Sequence, residues 1–374
     1  MIVKFSLKKL LLAVALLSVS ATNMAKQITD IAGRKVEIPD HVKTMVLGEG
    51  RMVYALSMLE ANPLKGVVAW RTDLIKNDPD TYKKLLAKFP DIKNIPDLGN
   101  PYSSDVNLET IISMKPDVYL LNVGNLLKAQ ESGLINKLAR VGIPTVFVDF
   151  RQKPLEDTVP SMRILGEVVN QQARAEKFIQ YYQKQMNMVK DRVAKIPEKD
   201  RPLVFIENAA GLDGDECCTT YGNKNFGRFV DYAGGRNWGS TKSTNLKFKV
   251  NPEVIFSEPF DYIIATGANW KAAYKGSTPI TLGYFAKPAE IQQEMQYLAN
   301  RDGWSSLKAI KDKHFYAIYH QFYNSPYHFM AILAFAKWFH PQQFADVDLQ
   351  KTYQQFYNEF MPISLTGEFW AKYQ

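Results

Sequence analysis

Two segments 144 residues apart carry the same five residues at the same offsets. Asn107, Glu109, Ile111, Ser113 and Asp117 lie in NLETIISMKPDVYLL, and Asn251, Glu253, Ile255, Ser257 and Asp261 lie in NPEVIFSEPFDYIIA. Each segment predicts a short helix with Asn as N-cap and Glu in its first turn, running into an apolar strand. The strands would be Val118 to Leu121 and Tyr262 to Ala265. One copy in each half of the chain predicts two similar α/β lobes, and the natural place for a ligand is then between them. One continuous sheet would contradict that reading.

The chain opens with a stretch that reads as a secretory leader over residues 1–25. Lys4, Lys8 and Lys9 form its basic start and Leu10 to Leu17 its apolar run, too short to span a bilayer. Small residues follow, with cleavage expected after Ala21 or Ala25, and no Cys near the site offers a lipid attachment point. The expected compartment is the periplasm of a Gram-negative cell. About 350 residues then remain, comfortable for two lobes and long for one core. An apolar content of 46%, with 12% aromatics, excludes disorder. The formal charge of +8 becomes +5 without the three leader lysines, and the surplus is dispersed. It suits anionic ligands and argues against nucleic acid as a partner. The only two cysteines, Cys217 and Cys218, are adjacent, so no disulfide framework holds the fold.

Strand and helix patterns alternate along residues 26–168, the predicted N-terminal lobe. Ile28 to Pro39 reads as a hairpin turning at Ala32-Gly33, Thr44 to Leu47 and Leu64 to Val68 as strands, Met52 to Leu59 and Pro79 to Lys88 as helices. After the first motif, Lys128 to Arg140 reads as one helix and Thr145 to Val148 as a strand. Such alternation predicts a parallel sheet covered on both faces. Within residues 169–197, the predicted spanning segment, Ala175, Phe178, Ile179, Tyr182, Met186, Val189 and Val193 recur at spacings of three and four, with no Gly or Pro between Gln171 and Lys195. A helix there from Gln171 to Lys195 would be about 37 Å long and would act as a strut between lobes. Residues 198–374 restart the alternation. Leu203 to Glu207 is a strand, a Gly-rich loop follows, and the helices Tyr327 to Phe339 and Leu349 to Phe360 close the chain.

The TDIAGRKVEIP opening, the NLETIISMKPDVYL unit, the single long mid-chain helix and the DKHFYAIYHQFYNSPYH stretch together resemble the periplasmic substrate-binding proteins of ABC importers, cobalamin, ferric-siderophore and haem type. The resemblance covers essentially the whole mature chain. It implies two Rossmann-like α/β lobes joined by one rigid helix, and a monomer that captures a metal chelate, foremost a ferric siderophore, in the cleft. It also implies delivery to an inner-membrane permease with its ATPase. By motif position the resemblance makes Glu109 and Glu253 the permease-docking carboxylates. On the residues alone, both also fit ordinary first-turn glutamates favoured by the helix dipole. No intrinsic cofactor is implied; the iron would belong to the cargo.

In α/β lobes ligands sit at the carboxyl ends of strands, so the loops there supply the candidates. In the first half these are Arg51, Trp70, Arg71 and Tyr102; in the second, Cys217, Cys218, Tyr221, Trp270, His320 and Tyr323. Arginine forks suit catecholate, carboxylate or oxyanion groups, and aromatic faces suit planar chelate rings. Tyr and His complete the coordination of ferric iron when a chelate arrives with open sites, which puts forward His320 and Tyr323. The alternative is an aromatic wall without metal bonds. No GxSxG, HExxH or Walker A pattern is present, so a non-enzymatic binding protein is expected. An exported redox protein using Cys217, Cys218 and His320 is the competing class. Haem, cobalamin, a free oxyanion such as molybdate, and a small nickel or iron chelate compete with the siderophore as cargo.

Overall fold

The computed structural model describes residues 25–100, 107–212 and 217–374. Most of the expected leader and Tyr102 lie outside the described residues. A hairpin of β1 (Ala25–Thr29) and β2 (Lys35–Pro39) opens the chain, turning through Gly33 at φ 77°. The first sheet has four parallel strands in the order β4-β3-β5-β6, namely Val67–Trp70, Met45–Leu47, Val118–Asn122 and Thr145–Val148. The second sheet is separate and mixed. Its central strands β7 (Leu203–Glu207), β11 (Tyr262–Gly267) and β12 (Phe315–Tyr319) are parallel neighbours. Beyond them lie the antiparallel β8 (Thr219–Tyr221), β10 (Lys247–Lys249) and β13 (Trp370–Lys372), while the short β9 (Arg236–Asn237) pairs β7 in parallel. Two sheets, one per half, are what the internal repeat predicts.

The repeated residues do the same work twice. Asn107 Oδ1 caps the helix Leu108–Met114 through the N–H of Thr110 at 2.9 Å, and Asn251 Oδ1 accepts the N–H of Glu253 at 3.0 Å. Ile111 and Ile255 are fully buried anchors of the two helices. Asp117 Oδ2 accepts the N–H groups of Lys43 and Thr44 at 2.7 and 2.9 Å, fixing the start of β3 beside β5. Asp261 Oδ2 accepts the N–H of Leu203 at 2.8 Å and so fixes β7 beside β11. A helix that precedes a strand in such a unit runs antiparallel to it. Glu109 and Glu253, both exposed, therefore sit at the carboxyl-end rim of their sheets.

Between the sheets runs the helix Gln172–Val193, 22 residues or about 33 Å long. Its buried stripe consists of the seven residues whose spacing predicts it, from Ala175 to Val193. Each large side chain in that stripe contributes about 1.5–3 kcal/mol by leaving water. The stripe touches Val53–Leu59 and Pro154–Val168 on one side and Phe226–Tyr232 and Phe329–Phe339 on the other. One continuous core thus runs from the first sheet through this helix into the second lobe. Gly166 allows the crossing with Pro154–Val168, since a Cβ there would stand 2.8 Å from that of Ala175. Among the described residues no helix is long and apolar enough to cross a membrane.

Several local expectations shift. The stretch Lys128 to Arg140 is two helices, Leu126–Glu131 and Leu134–Ala139, because Gly133 adopts φ 69° between them. Leu64 belongs to a turn, its N–H held by Asn62 Oδ1 at 3.0 Å, so β4 starts three residues later and takes in Trp70. The helix Pro154–Val168, with Pro160 inside, and the edge strand β13 carry no counterpart in the sequence reading.

Candidate functional site

The carboxyl ends of the two sheets face each other. The loop after β3 holds Glu49 and Arg51; that after β12 holds His320, Gln321, Tyr323 and Asn324; Trp270 follows β11. Glycine is required at position 50, where a Cβ would stand 2.3 Å from the Arg71 carbonyl oxygen. The Gly50 N–H instead donates to Asp73 at 2.6 Å, drawing the helix after β4 against the loop after β3.

Arg51 is the hub. Its Nε donates to Asp73 Oδ2 at 2.7 Å, Nη2 to Glu49 Oε1 at 2.6 Å, and Nη1 to the hydroxyl of Tyr323 in the other lobe. The side chain is 5% exposed. Burial alone would lower its guanidinium, but Tyr323, Glu49 and Asp73 hold it well above its ordinary value. Glu49 also accepts from Asn324 Nδ2 at 2.8 Å and from Arg151 Nη1 at 3.4 Å. Burial pushes the Glu49 carboxyl up; Arg151 and Arg51 outweigh it and leave it below the ordinary range. For Asp73 burial wins over Arg51, and its carboxyl is raised. Arg71 is also close enough to act on Glu49 and Asp73, so the guanidinium groups of Arg51, Arg71 and Arg151 gather around Glu49 where the lobes meet.

Further contacts pin the lobes together. Trp270 Nε1 and Gln321 Nε2 both donate to the Asn77 carbonyl, at 2.7 and 2.5 Å. Asn225 Nδ2 bridges the carbonyl oxygens of Arg151 and Tyr323 at 2.6 and 2.7 Å. Asn269 donates to Asp80 at 2.8 Å. The His320 ring stands edge-on to Trp270, with centroids 4.8 Å apart, and 4.6 Å from Tyr323. Its Nδ1 lies 2.9 Å from Thr266 Oγ1. Burial, then the charges of Lys247 and Arg51, hold His320 well below its ordinary pKa, so the ring is neutral at neutral pH and can accept as well as donate.

The structure thus gathers Arg51, Trp270, His320 and Tyr323 at one place, with the half-buried Arg71 beside them. Trp70 ends β4 with its side chain buried against Tyr82, and Tyr221 ends β8 in the core, its hydroxyl donating to Asn208 Oδ1 at 2.8 Å. Both are strand residues, not the loop residues expected. Cys217 and Cys218 are joined to each other beside Glu207, the last residue of β7. Glu49, Asp73, Arg151, Gln321 and Asn324 have no place among the sequence candidates. Glu49 and Asp73 each stand two residues from a candidate arginine, which is the only signal that would have raised them.

Residues 64–321 match the family model described as periplasmic binding protein. The molybdate-binding protein MolA of Haemophilus influenzae is 24% identical over an alignment 385 positions long, covering 96% of this chain and 97% of MolA. Among solved structures, the TroA-like periplasmic binding protein FepB of Veillonella parvula superposes with a TM-score of 0.84 at 26% identity, over 93% of this chain and 99% of FepB. Helicobacter pylori CeuE with nickel and histidine shares the fold at a TM-score of 0.64 and 16% identity, over 91% and 97% of the two chains.

Proposed function

The chain belongs to the periplasmic binding protein family, and we propose that it captures a compact anionic metal species between its lobes and hands it to an ABC permease. The cargo class is a metal oxyanion of the molybdate kind, or a small chelate that meets the protein through anionic oxygens. Proteins of this family serve transport, not catalysis. The observation that carries the cargo reading is the gathering of Arg51, Arg71 and Arg151 where the lobes meet, together with the direct bridges Arg51–Tyr323, Asn324–Glu49 and Trp270–Asn77. Lobes drawn within hydrogen-bond distance suit a small ion better than a bulky chelate. Arg51 is committed to Glu49 and Asp73. In this reading it sets the field and shapes the loop, while Arg71 and Arg151 meet the charge of the cargo. The full-length similarity to a molybdate-binding protein supports the same class.

A second reading, the ferric siderophore, is favoured by one observation. A neutral His320 lies against Tyr323, and this pair offers a nitrogen and a phenol oxygen to open iron sites. Glu109 and Glu253, at corresponding places on the two rims, supply the carboxylates for paired arginines of the permease. Calorimetry of the purified protein with molybdate, tungstate, nickel–histidine, a ferric catecholate and cyanocobalamin separates these readings. Binding of the oxyanions, weakened by Arg151→Gln, is the expected result. Binding of the neutral corrinoid alone overturns both.

A further inference from the structure

The end of β7 and the loop after it gather donor atoms that the cargo reading does not use. We propose that Glu207, Cys217 and Cys218 form a redox-gated site for a thiophilic divalent cation, assembled when the Cys217–Cys218 disulfide is reduced. One carboxylate oxygen and the two sulfurs all lie within 4.8 Å of one another. Reduction breaks the bond between the sulfurs and lets them part to ligand positions about 2.0–2.3 Å from a shared tetrahedral ion, with the carboxylate oxygen already in reach. Glu207 is 2% and Cys218 6% exposed, while Cys217 is half-buried, so two donors are held out of bulk water and the third faces the entry. A cavity of about 50 Å³ opens beside them, lined also by Asn208, Thr219 and Lys249, room enough for an ion with a water as fourth ligand.

Charge decides the class of ion. Arg301 donates to both Glu207 oxygens at 2.7 Å, and its guanidinium stacks 3.5 Å from the Trp304 ring. That pairing cancels the Glu207 charge and fixes the carboxylate plane, yet leaves a lone pair on each oxygen. Two thiolates then match a divalent cation, and sulfur ligands select zinc- or cadmium-like ions over magnesium or calcium. Lys249, at the edge of the same cavity, favours the thiolate form. The gating step is thiol–disulfide exchange with an external dithiol. The disulfide gains two electrons and two protons and becomes two thiols, while the dithiol is oxidised to its own disulfide. Cation binding then releases both thiol protons as two metal–sulfur bonds form.

None of its donors is a cleft arginine, and its test needs no cargo. Cd²⁺ is titrated into the full protein with and without a phosphine reductant, following the ultraviolet sulfur-to-cadmium charge-transfer band. Reduced protein should take up about one equivalent with that band, and oxidised protein should show none. Cys217→Ser and Cys218→Ser should each abolish the band, and Glu207→Gln should weaken binding roughly tenfold. Absence of the band in reduced wild type, its persistence in the serine variants, or its appearance in oxidised protein would overturn the site. Glu207→Gln also disturbs the Arg301 pair. Should it fail to fold, the serine variants, which leave that pair intact, decide.

Discussion

Residues 107–121 and 251–265 build matching corners of two lobes, yet the loops that those corners support are unlike. In both corners an Asn holds a helix start, an Ile plugs the core and an Asp holds the amide of the neighbouring strand. The cleft loops diverge. The first lobe supplies charge through Glu49, Arg51 and Asp73, and the second supplies rings through Trp270, His320 and Tyr323. The supporting corners are alike, while the loops on the two sides of the cleft carry different chemistry. The second lobe even reinforces its pin: burial pushes Asp261 up, but Lys308 at 2.8 Å and the Leu203 amide hold it below the ordinary carboxylate range.

The charged side of this comparison breaks most easily. Arg51→Met leaves Glu49 and Asp73 buried without their shared cation and should cost about 3–5 kcal/mol in urea unfolding. Tyr323→Phe, on the ring side, removes only one partner of Arg51 and should cost about 1 kcal/mol. Equal losses would mean that the charges and rings are not divided between the lobes as described.

A pH effect of similar size should arise where the spanning helix grips the second lobe. His328 Nδ1 donates to the Ser325 carbonyl oxygen at 3.0 Å, so Nε2 of the neutral ring accepts from the Tyr182 hydroxyl at 2.9 Å. Burial pushes it from 6.5 down to about 4. The unfolded chain therefore binds the extra proton first, between those two values. The neutral ring's contribution is complete above pH 6.5 and is lost as pH falls to about 4, amounting to about 3 kcal/mol. His328→Gln should flatten that portion of the stability–pH curve; an unchanged slope would show that the ring is not held neutral.

Smaller effects sharpen the match between corners. Asp117→Ala strips acceptors from two strand amides and should cost about 2 kcal/mol. Asp261→Ala removes one amide contact and the Lys308 pair, and about 1–2 kcal/mol is expected. Raising salt should narrow the Asp261→Ala effect alone. Least of all, Glu109→Lys and Glu253→Lys should each shift stability by less than about 1 kcal/mol. Together they should leave cargo affinity unchanged while uptake by cells is lost. A fall in affinity would place them in the cleft instead of on the rims.

Patterns that act over a few residues were open to reading before any fold was known. The strut declared itself because seven apolar residues at helical spacing bury one face whatever they pack against. The twin corners declared themselves because caps and first-turn acids are local devices. Gly133 is a limit of that reading: an apolar period ran through it, but its positive φ ended one helix and began another.

The amino-acid order by itself determined two α/β halves, the rod between them and the placement of one acid at each rim, since periodicity and capping are written in neighbouring residues. Only the tertiary structure decided which side chains meet across the cleft. Asn324 reaches Glu49 across 275 positions and Tyr323 reaches Arg51 across 272, and no spacing rule links them. Burial then set which of those charges are neutralised and which ring stays neutral, because desolvation depends on everything packed around a group rather than on its place in the chain.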